Sequence, residues 1–467
     1  MNKFIEVMTE KDTYTANGAL TNSTSHNACL DLFFLAGACR NENEQNIIAK
    51  LSSAYVEDRI KCLKIIFWAG DIRQGAGERR FFKIALNWLN DNYRDDLNLY
   101  LQYIPEYSRW DVLFDIAHKN KYVLLYICNE MRKNGLLCKW LPRKKQYNNL
   151  AKKIQETLEI NAKQYRQLIV KNTNVVENKM CKKQWNEIEY AHVPSVAMNK
   201  YNKAWYRNDA IRFQQYLEDV KNNKKKINAS AIFPHDIVKN ALSDWYGWGN
   251  NLKRLNDAQI IQWNNLPNYL EGKINSIVPV CDVSGSMSGL PITISVALGL
   301  YISERNEGVF KDAFITFSRN PKMQYLKGNI NDRIQQLITS DWDGNTDFVS
   351  VFELILKKAI DNNLTQNDIP KTILAISDME FDSASSGATN YEHIKSLFEQ
   401  NGYKLPNIVF WNVNGRVGNV PITMKNENVA LISGASPSVI KAVLNDDINP
   451  VKIMNNIIES ERYNFII

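Results

Sequence analysis

The chain has 467 residues, 45% of them apolar and 11% aromatic, so several large cores can be buried and global disorder is excluded. The formal net charge of +7 is unevenly spread: residues 271–467 carry 17 Lys+Arg against 22 Asp+Glu, which leaves 40 against 28 over residues 1–270. A basic half beside an acidic half predicts a polyanionic partner for the first, or else lysine-rich solvated helices.

No apolar run reaches membrane-spanning length, and the N-terminus "MNKFIEVMTEKDTYTANGALTN" lacks a signal-peptide core. An intracellular, cytoplasmic protein with no membrane partner is expected. The seven cysteines are odd in number, scattered, and form no CxxC pair. A disulfide framework or zinc site is therefore not expected, and buried reduced thiols are.

In chain order, residues 1–271 are predicted to be an all-α domain. "NEQNIIAKLSSAYVEDRIKCLKIIFWAG", "ERRFFKIALNWLNDN", "RWDVLFDIAHKNKYVLLYICNEMRKNG" and "NAKQYRQLIVKNTNVVENKM" carry apolar residues at helical spacing. Many medium helices on short connections suggest stacked helix pairs, an α-solenoid without a clean repeat period. A lysine-rich turn, "VKNNKKKINASAIFPHDIVKNAL", breaks the pattern before a helix started by Pro234.

From Ser276 the periodicity changes. "SIVPVCDVS", "DAFITFS", "KMQYLKG", "KTILAISDMEF", "NIVFWNVNG" and "NVALISG" have strand length, and helical patterns separate most of them. Residues 272–467 are therefore predicted to be a doubly wound α/β domain with a mainly parallel sheet and "KMQYLKG" as its antiparallel edge. Such sheets bind ligands at the carboxyl ends of their strands.

Three loops fall on that edge. "CDVSGSMSG" brings Asp282, Ser284 and Ser286; "DWDGNTDF" brings Thr346; "AISDMEFD" brings Asp378. Together they offer carboxylate and hydroxyl oxygens and no nitrogen or sulfur, a set suited to Mg2+ or another hard divalent cation. Gly285 and Gly289 permit a tight turn there. A Ser and an Asp that merely cap the following helix are the plainer alternative. The stretch has no Walker lysine and no GxSxG elbow, and no HExxH occurs in the chain.

The set Asp282, Ser284, Ser286, Thr346 and Asp378 resembles the metal-ion-dependent adhesion site of von Willebrand factor A domains. That resemblance implies a Rossmann-like fold. It also implies magnesium held by the hydroxyls and aspartates, directly or through water, with a position open to a partner protein's carboxylate. Upstream, "ANGALTNSTSHNACLDLFFLAGACR", "DIRQGAGERRFF", "YIPEYSRWDVLF", "KWLPRK" and "HVPSVAMNKYNKAWYRNDAIRFQQYL" follow in an order that resembles the Ro/TROVE family and its uncharacterised relatives. That family implies a ring of HEAT-like helices that binds RNA, with single-stranded 3′ ends in the hole, structured RNA outside, and the A domain closing the ring.

Three basic stretches are the candidate RNA contacts. Arg73, Arg79 and Arg80 surround two glycines, where backbone N–H groups and guanidinium donors can meet phosphates; a solvated inter-helix loop is the alternative. Lys139, Arg143, Lys144 and Lys145 flank Trp140, which allows stacking plus phosphate pairing, unless the Trp is packed. Lys200, Lys203 and Arg207 share a helix face, with Tyr201 and Trp205 expected in the core. The expected function is non-enzymatic RNA binding, with the metal site engaging a partner. A metal-dependent protein scaffold without RNA is the alternative. A metal hydrolase is a third class, because Asp343, Asp347, Glu380 and Asp382 crowd the site, although no general base or second-metal set accompanies them.

Overall fold

The computed structural model describes residues 13–143, 148–242, 253–271, 276–317, 320–339, 346–383, 388–444 and 448–467. Among these, the chain up to residue 271 is helical except for a two-residue-per-strand hairpin, β1 (Thr13–Tyr14) and β2 (Leu20–Thr21). The remainder contains a six-stranded sheet.

The long helical pattern over residues 44–70 is two helices, Glu44–Glu57 and Arg59–Gly70. Asp58 divides them: its backbone is extended, φ −154°, and its carboxylate accepts from the Lys61 N–H. A carboxylate at an N-cap satisfies a donor that an unbroken helix would not expose, so capping chemistry wins over the apolar period. In "RWDVLFDIAHK" the expected helix is two short 3-10 turns, Trp110–Leu113 and Ile116–His118, and a regular helix starts at Lys121 behind the Asn120 cap.

The sheet has strands β3 (Ile277–Cys281), β4 (Ala313–Thr316), β5 (Met323–Tyr325), β6 (Thr372–Ser377), β7 (Asn407–Asn412) and β8 (Val429–Ser433), in the order β5-β4-β3-β6-β7-β8. All neighbours are parallel except β4 and β5, an antiparallel edge set by the short connection between them. β3, β4, β6 and β8 are buried along their whole length, as a sheet covered on both faces requires. The chain leaves β3 towards β4 on one side and later returns to pair β6 on the other. The gap between the ends of β3 and β6 is thus the switch point where doubly wound sheets open a crevice. The helix Leu290–Arg305 covers β3 closely: a Cβ on Gly299 would lie 2.2 Å from Cys281 Sγ.

The first helices are not a separate layer. One apolar cluster runs from Cys29 and Trp68 through Val278 and Ile376 to Ile466. The helix Ala28–Ala36 lies against β8, where Ser433 Oγ donates to Phe33 O (2.7 Å) and accepts from Gly37 N (3.0 Å). A Cβ on Gly37 would meet the Ser433 carbonyl carbon at 2.7 Å, so only glycine allows this approach. A second, smaller cluster gathers Ile188, Trp205, Phe213 and Ile261. Tyr201 packs against it and Trp205 lies fully inside it, as their helical spacing predicts.

All seven cysteines are free, and six are buried. Among the described residues, no helix is long and apolar enough to cross a membrane.

Candidate functional site

Asp282 follows β3 directly, and its N–H donates to Ile376 O of β6 (3.0 Å), which fixes it at the switch point. Its carboxylate is fully buried. Oδ1 accepts from Ser284 N (2.9 Å), and Oδ2 accepts from Ser377 Oγ (2.5 Å) at the end of β6. Ser284 Oγ and Ser286 Oγ lie 3.0 Å apart. Gly289, at φ +90°, then turns the chain into the helix Leu290–Arg305. Asp378 follows β6. One of its oxygens accepts from Glu380 N (3.2 Å), and the other, Oδ2, is buried without a hydrogen-bond partner.

Burial pushes the Asp282 carboxyl up to about 7, and the neighbouring Asp378 charge adds to the rise. Burial also raises Asp378, while the adjacent Ser286 hydroxyl pulls the other way. Two buried carboxylates thus lie beside the buried Ser284 and the exposed Ser286, with no directly paired cation among the described residues. Arg416 pairs with Glu380 at 3.8 Å rather than with either aspartate, is 55% exposed, and its charge lowers Asp378 somewhat.

Thr346 is buried and bound to the same loop: its Oγ1 donates to Asp382 Oδ1 (3.2 Å), and its carbonyl accepts from Asp382 N (3.1 Å). Among the described residues, no three His, Cys, Asp or Glu side chains form a metal-binding group. What gathers instead is two carboxylates and the hydroxyls of Ser284 and Ser286, with Thr346 held to the neighbouring loop.

Three of the four acids that suggested a hydrolase have partners within the protein. Asp347 caps the helix Phe348–Asp361 and holds both Ser350 N (3.0 Å) and Ser350 Oγ (2.5 Å). Asp382 takes Thr346, and Glu380 takes Ala16 N (2.5 Å). Asp343 lies outside the described residues.

The sequence reading missed the hairpin of residues 13–21 at this site. Asn17 Nδ2 donates to Thr346 Oγ1 (2.9 Å) and to Glu380 O (2.6 Å), Thr15 Oγ1 donates to Phe381 O (2.8 Å), and Gly18 bridges to Asp382. These bonds span more than 320 residues of sequence, and a Gly at φ +85° behind an Asn signals only a local turn.

The basic stretches divide. Arg79 pairs with Asp111, whose Oδ2 also takes Arg109 Nη2 (3.0 Å). Arg109 stacks 3.8 Å over Trp140, and Lys139 Nζ lies 5.4 Å from the same ring. Lys139 reaches Glu177 (2.6 Å), which accepts from Tyr201 OH (3.1 Å), and Lys200 lies over Tyr201. Arg79, Lys139 and Lys200 thus join one ribbon of touching side chains, in which Trp140 is 36% exposed. Lys203 and Arg207 are exposed on the helix Ser195–Asn208, and Arg143 donates to Thr173 Oγ1 (3.2 Å).

Arg80 is not in the ribbon: it is half-buried and donates to Cys39 O (3.0 Å). Arg73 turns to Glu106 O. Lys144 and Lys145 lie outside the described residues. Arg109, not singled out in the sequence, is the residue that connects the first two stretches.

A helical array joined to a doubly wound α/β domain with an oxygen-lined crevice is the class that fold and site define. Comparison with known families then places the chain. A domain of unknown function, DUF2828, matches residues 15–106 and 119–273, more than half of the chain, and the protein belongs to that family. A second domain of unknown function, DUF7788, matches residues 275–462. The chain is also similar to a protein of Acanthamoeba polyphaga mimivirus, Uncharacterized protein L728, at 25% identity over 507 aligned residues that cover 96% of this chain and 87% of that protein. These matches correct the family expectation: neither matching domain is Ro/TROVE or von Willebrand factor A, so short motifs in a matching order did not identify the family.

Proposed function

We propose that this protein is a non-enzymatic binding protein with two separate surfaces. Asp282, Ser284, Ser286, Thr346 and Asp378 hold Mg2+ or a similar hard divalent cation, and the ribbon around Trp140 binds RNA. The observation that carries the metal reading is the buried, unpartnered Asp378 Oδ2 beside a second buried carboxylate. An orphaned, buried anionic oxygen costs free energy, and an oxygen-loving cation removes that cost. The bound ion supplies an electrophilic coordination position for a partner protein's carboxylate. The residues themselves orient: Ser377 and the Ser284 N–H fix both oxygens of Asp282, and the Glu380 N–H fixes Asp378.

RNA binding is supported by an exposed Trp140 with a guanidinium on its face and lysines along the same ribbon, a combination that stacks bases and pairs phosphates. A metal-dependent scaffold without RNA is the second reading. It is favoured by Asp111 and Glu177, which already neutralise part of the ribbon.

Electrophoretic titration of single-stranded RNA at several salt concentrations separates the two. The first reading expects a log–log slope of roughly −0.7 per phosphate neutralised. It also expects a loss of about 1–3 kcal/mol for Trp140→Ala. An absence of salt-sensitive binding at low ionic strength leaves the scaffold.

A further inference from the structure

A cavity of about 790 Å3 lies between the two halves, and its lining includes none of the crevice or ribbon residues. Its walls come from the turn at Arg73 and Gln74, from Ser230 and Tyr269, and from two C-terminal stretches, residues 438–442 and 456–463. Ser438 Oγ donates to Gln74 O (2.8 Å), so a hydrogen bond holds the two halves together at its margin.

The lining chemistry has one sign. Arg73 and Lys441 contribute two cations, and none of the described lining residues is acidic. Neither cation is ion-paired with a described residue. Arg73 spends one guanidinium N–H on Glu106 O, which anchors the group, and Lys441 Nζ stands 5.2 Å from the Tyr269 ring. Ser230, Ser438 and Ser460 add hydroxyls. Tyr269 and the buried Tyr463 add aromatic wall, and Tyr463 is fixed by its bond to Asp71 Oδ2 (3.1 Å).

We infer that this cavity is a binding site for a nucleoside phosphate. The volume falls in the range of small-molecule sites and exceeds what inorganic phosphate needs. A guanidinium and an ammonium beside hydroxyls match a phosphate group, and an aromatic and aliphatic wall matches a base. Free mononucleotide and the terminal 5′-phosphorylated nucleotide of an RNA chain share this chemistry. The site depends on neither the metal nor the ribbon.

Isothermal titration of the full chain tests it with adenosine 5′-monophosphate, adenosine, inorganic phosphate, and a short RNA with or without a 5′-phosphate. The monophosphate is expected to bind at least about tenfold more tightly than adenosine or phosphate, and Arg73→Gln and Lys441→Gln each to weaken it about tenfold, as loss of a charge-assisted contact requires. Both side chains are exposed, so the variants should keep the wild-type circular dichroism. Competition by 5′-phosphorylated RNA alone would assign the site to chain ends, and its failure to compete would assign the site to free nucleotide. Trp140→Ala should leave monophosphate binding unchanged, which separates this site from the ribbon. The inference is overturned if adenosine binds as well as its monophosphate, if neither variant weakens binding, or if neither phosphorylated probe binds.

Discussion

Two buried acidic centres tie this chain together, and they are satisfied in opposite ways. Asp71, fully buried in the helical half, meets a guanidinium from the far C-terminus: Arg462 Nη2 donates to Oδ1 (2.9 Å), Arg462 Nε and Tyr463 OH donate to Oδ2, and the Arg462 group lies 4.4 Å over Tyr107. Asp282 and Asp378, equally deep, meet only hydroxyls and backbone N–H groups, and one oxygen has no partner. The first centre is complete within the protein and serves as a clasp between the halves. The second has no paired cation among the described residues, and it is there that the proposed metal would sit. Burial alone therefore does not single out a candidate site; burial without an internal counter-charge does.

The largest effect should come from the clasp. Asp71→Ala leaves Arg462 without its carboxylate, and breaking a buried pair costs about 3–5 kcal/mol. Chemical denaturation of the variant should show that loss, whereas Asp282→Ala, in the loop-borne centre, should cost much less in the absence of metal. Equal losses would erase the distinction between the two centres.

A buried base sharpens the same contrast. Burial holds the His235 imidazole down at about 4, against 6.5 for the free side chain, and its Nδ1 has no hydrogen-bond partner. As pH falls from about 6.5 towards 4, the unfolded chain takes a proton that the folded chain refuses, so stability should fall across that window and be complete above it. The difference between wild type and His235→Phe should amount to no more than about 3 kcal/mol by pH 4. A wild-type and variant pair with parallel stability curves between pH 4 and 7 would count against a neutral buried imidazole.

The smallest effect belongs to the hairpin. Asn17→Ala removes two bonds at the crevice and should cost about 1 kcal/mol, with faster amide exchange at residues 380–382. Exchange at β7 should not change, and if it does, the hairpin supports the whole sheet rather than the site.

The strand order was partly legible in the sequence, because short apolar runs bounded by Asp, Asn and Gly alternate with helical periods. The loop residues at the switch point were legible for the same reason: Asp282 and Asp378 each follow a fully buried strand. The contacts that close over them were not. Asn17 with Thr346, Arg462 with Asp71, and the Gly37 approach to Ser433 pair residues hundreds of positions apart, and no local period encodes such pairs. The break at Asp58 was visible in principle, since an Asp before a charged first turn is an N-cap signal that the apolar period concealed. Family membership was misread because it rested on short motifs and their order, which do not by themselves fix ancestry.

The most direct test of the proposed metal centre is thermal unfolding of the wild type, Asp282→Ala and Asp378→Asn across a magnesium titration. A cation bound only by the folded state stabilises it by about 2.7 kcal/mol at a hundredfold excess over Kd. The wild-type Tm should therefore climb with magnesium concentration, while both variants stay flat and keep wild-type circular dichroism. A wild-type Tm that ignores magnesium and manganese, or a rise of equal size in both variants, would contradict the account.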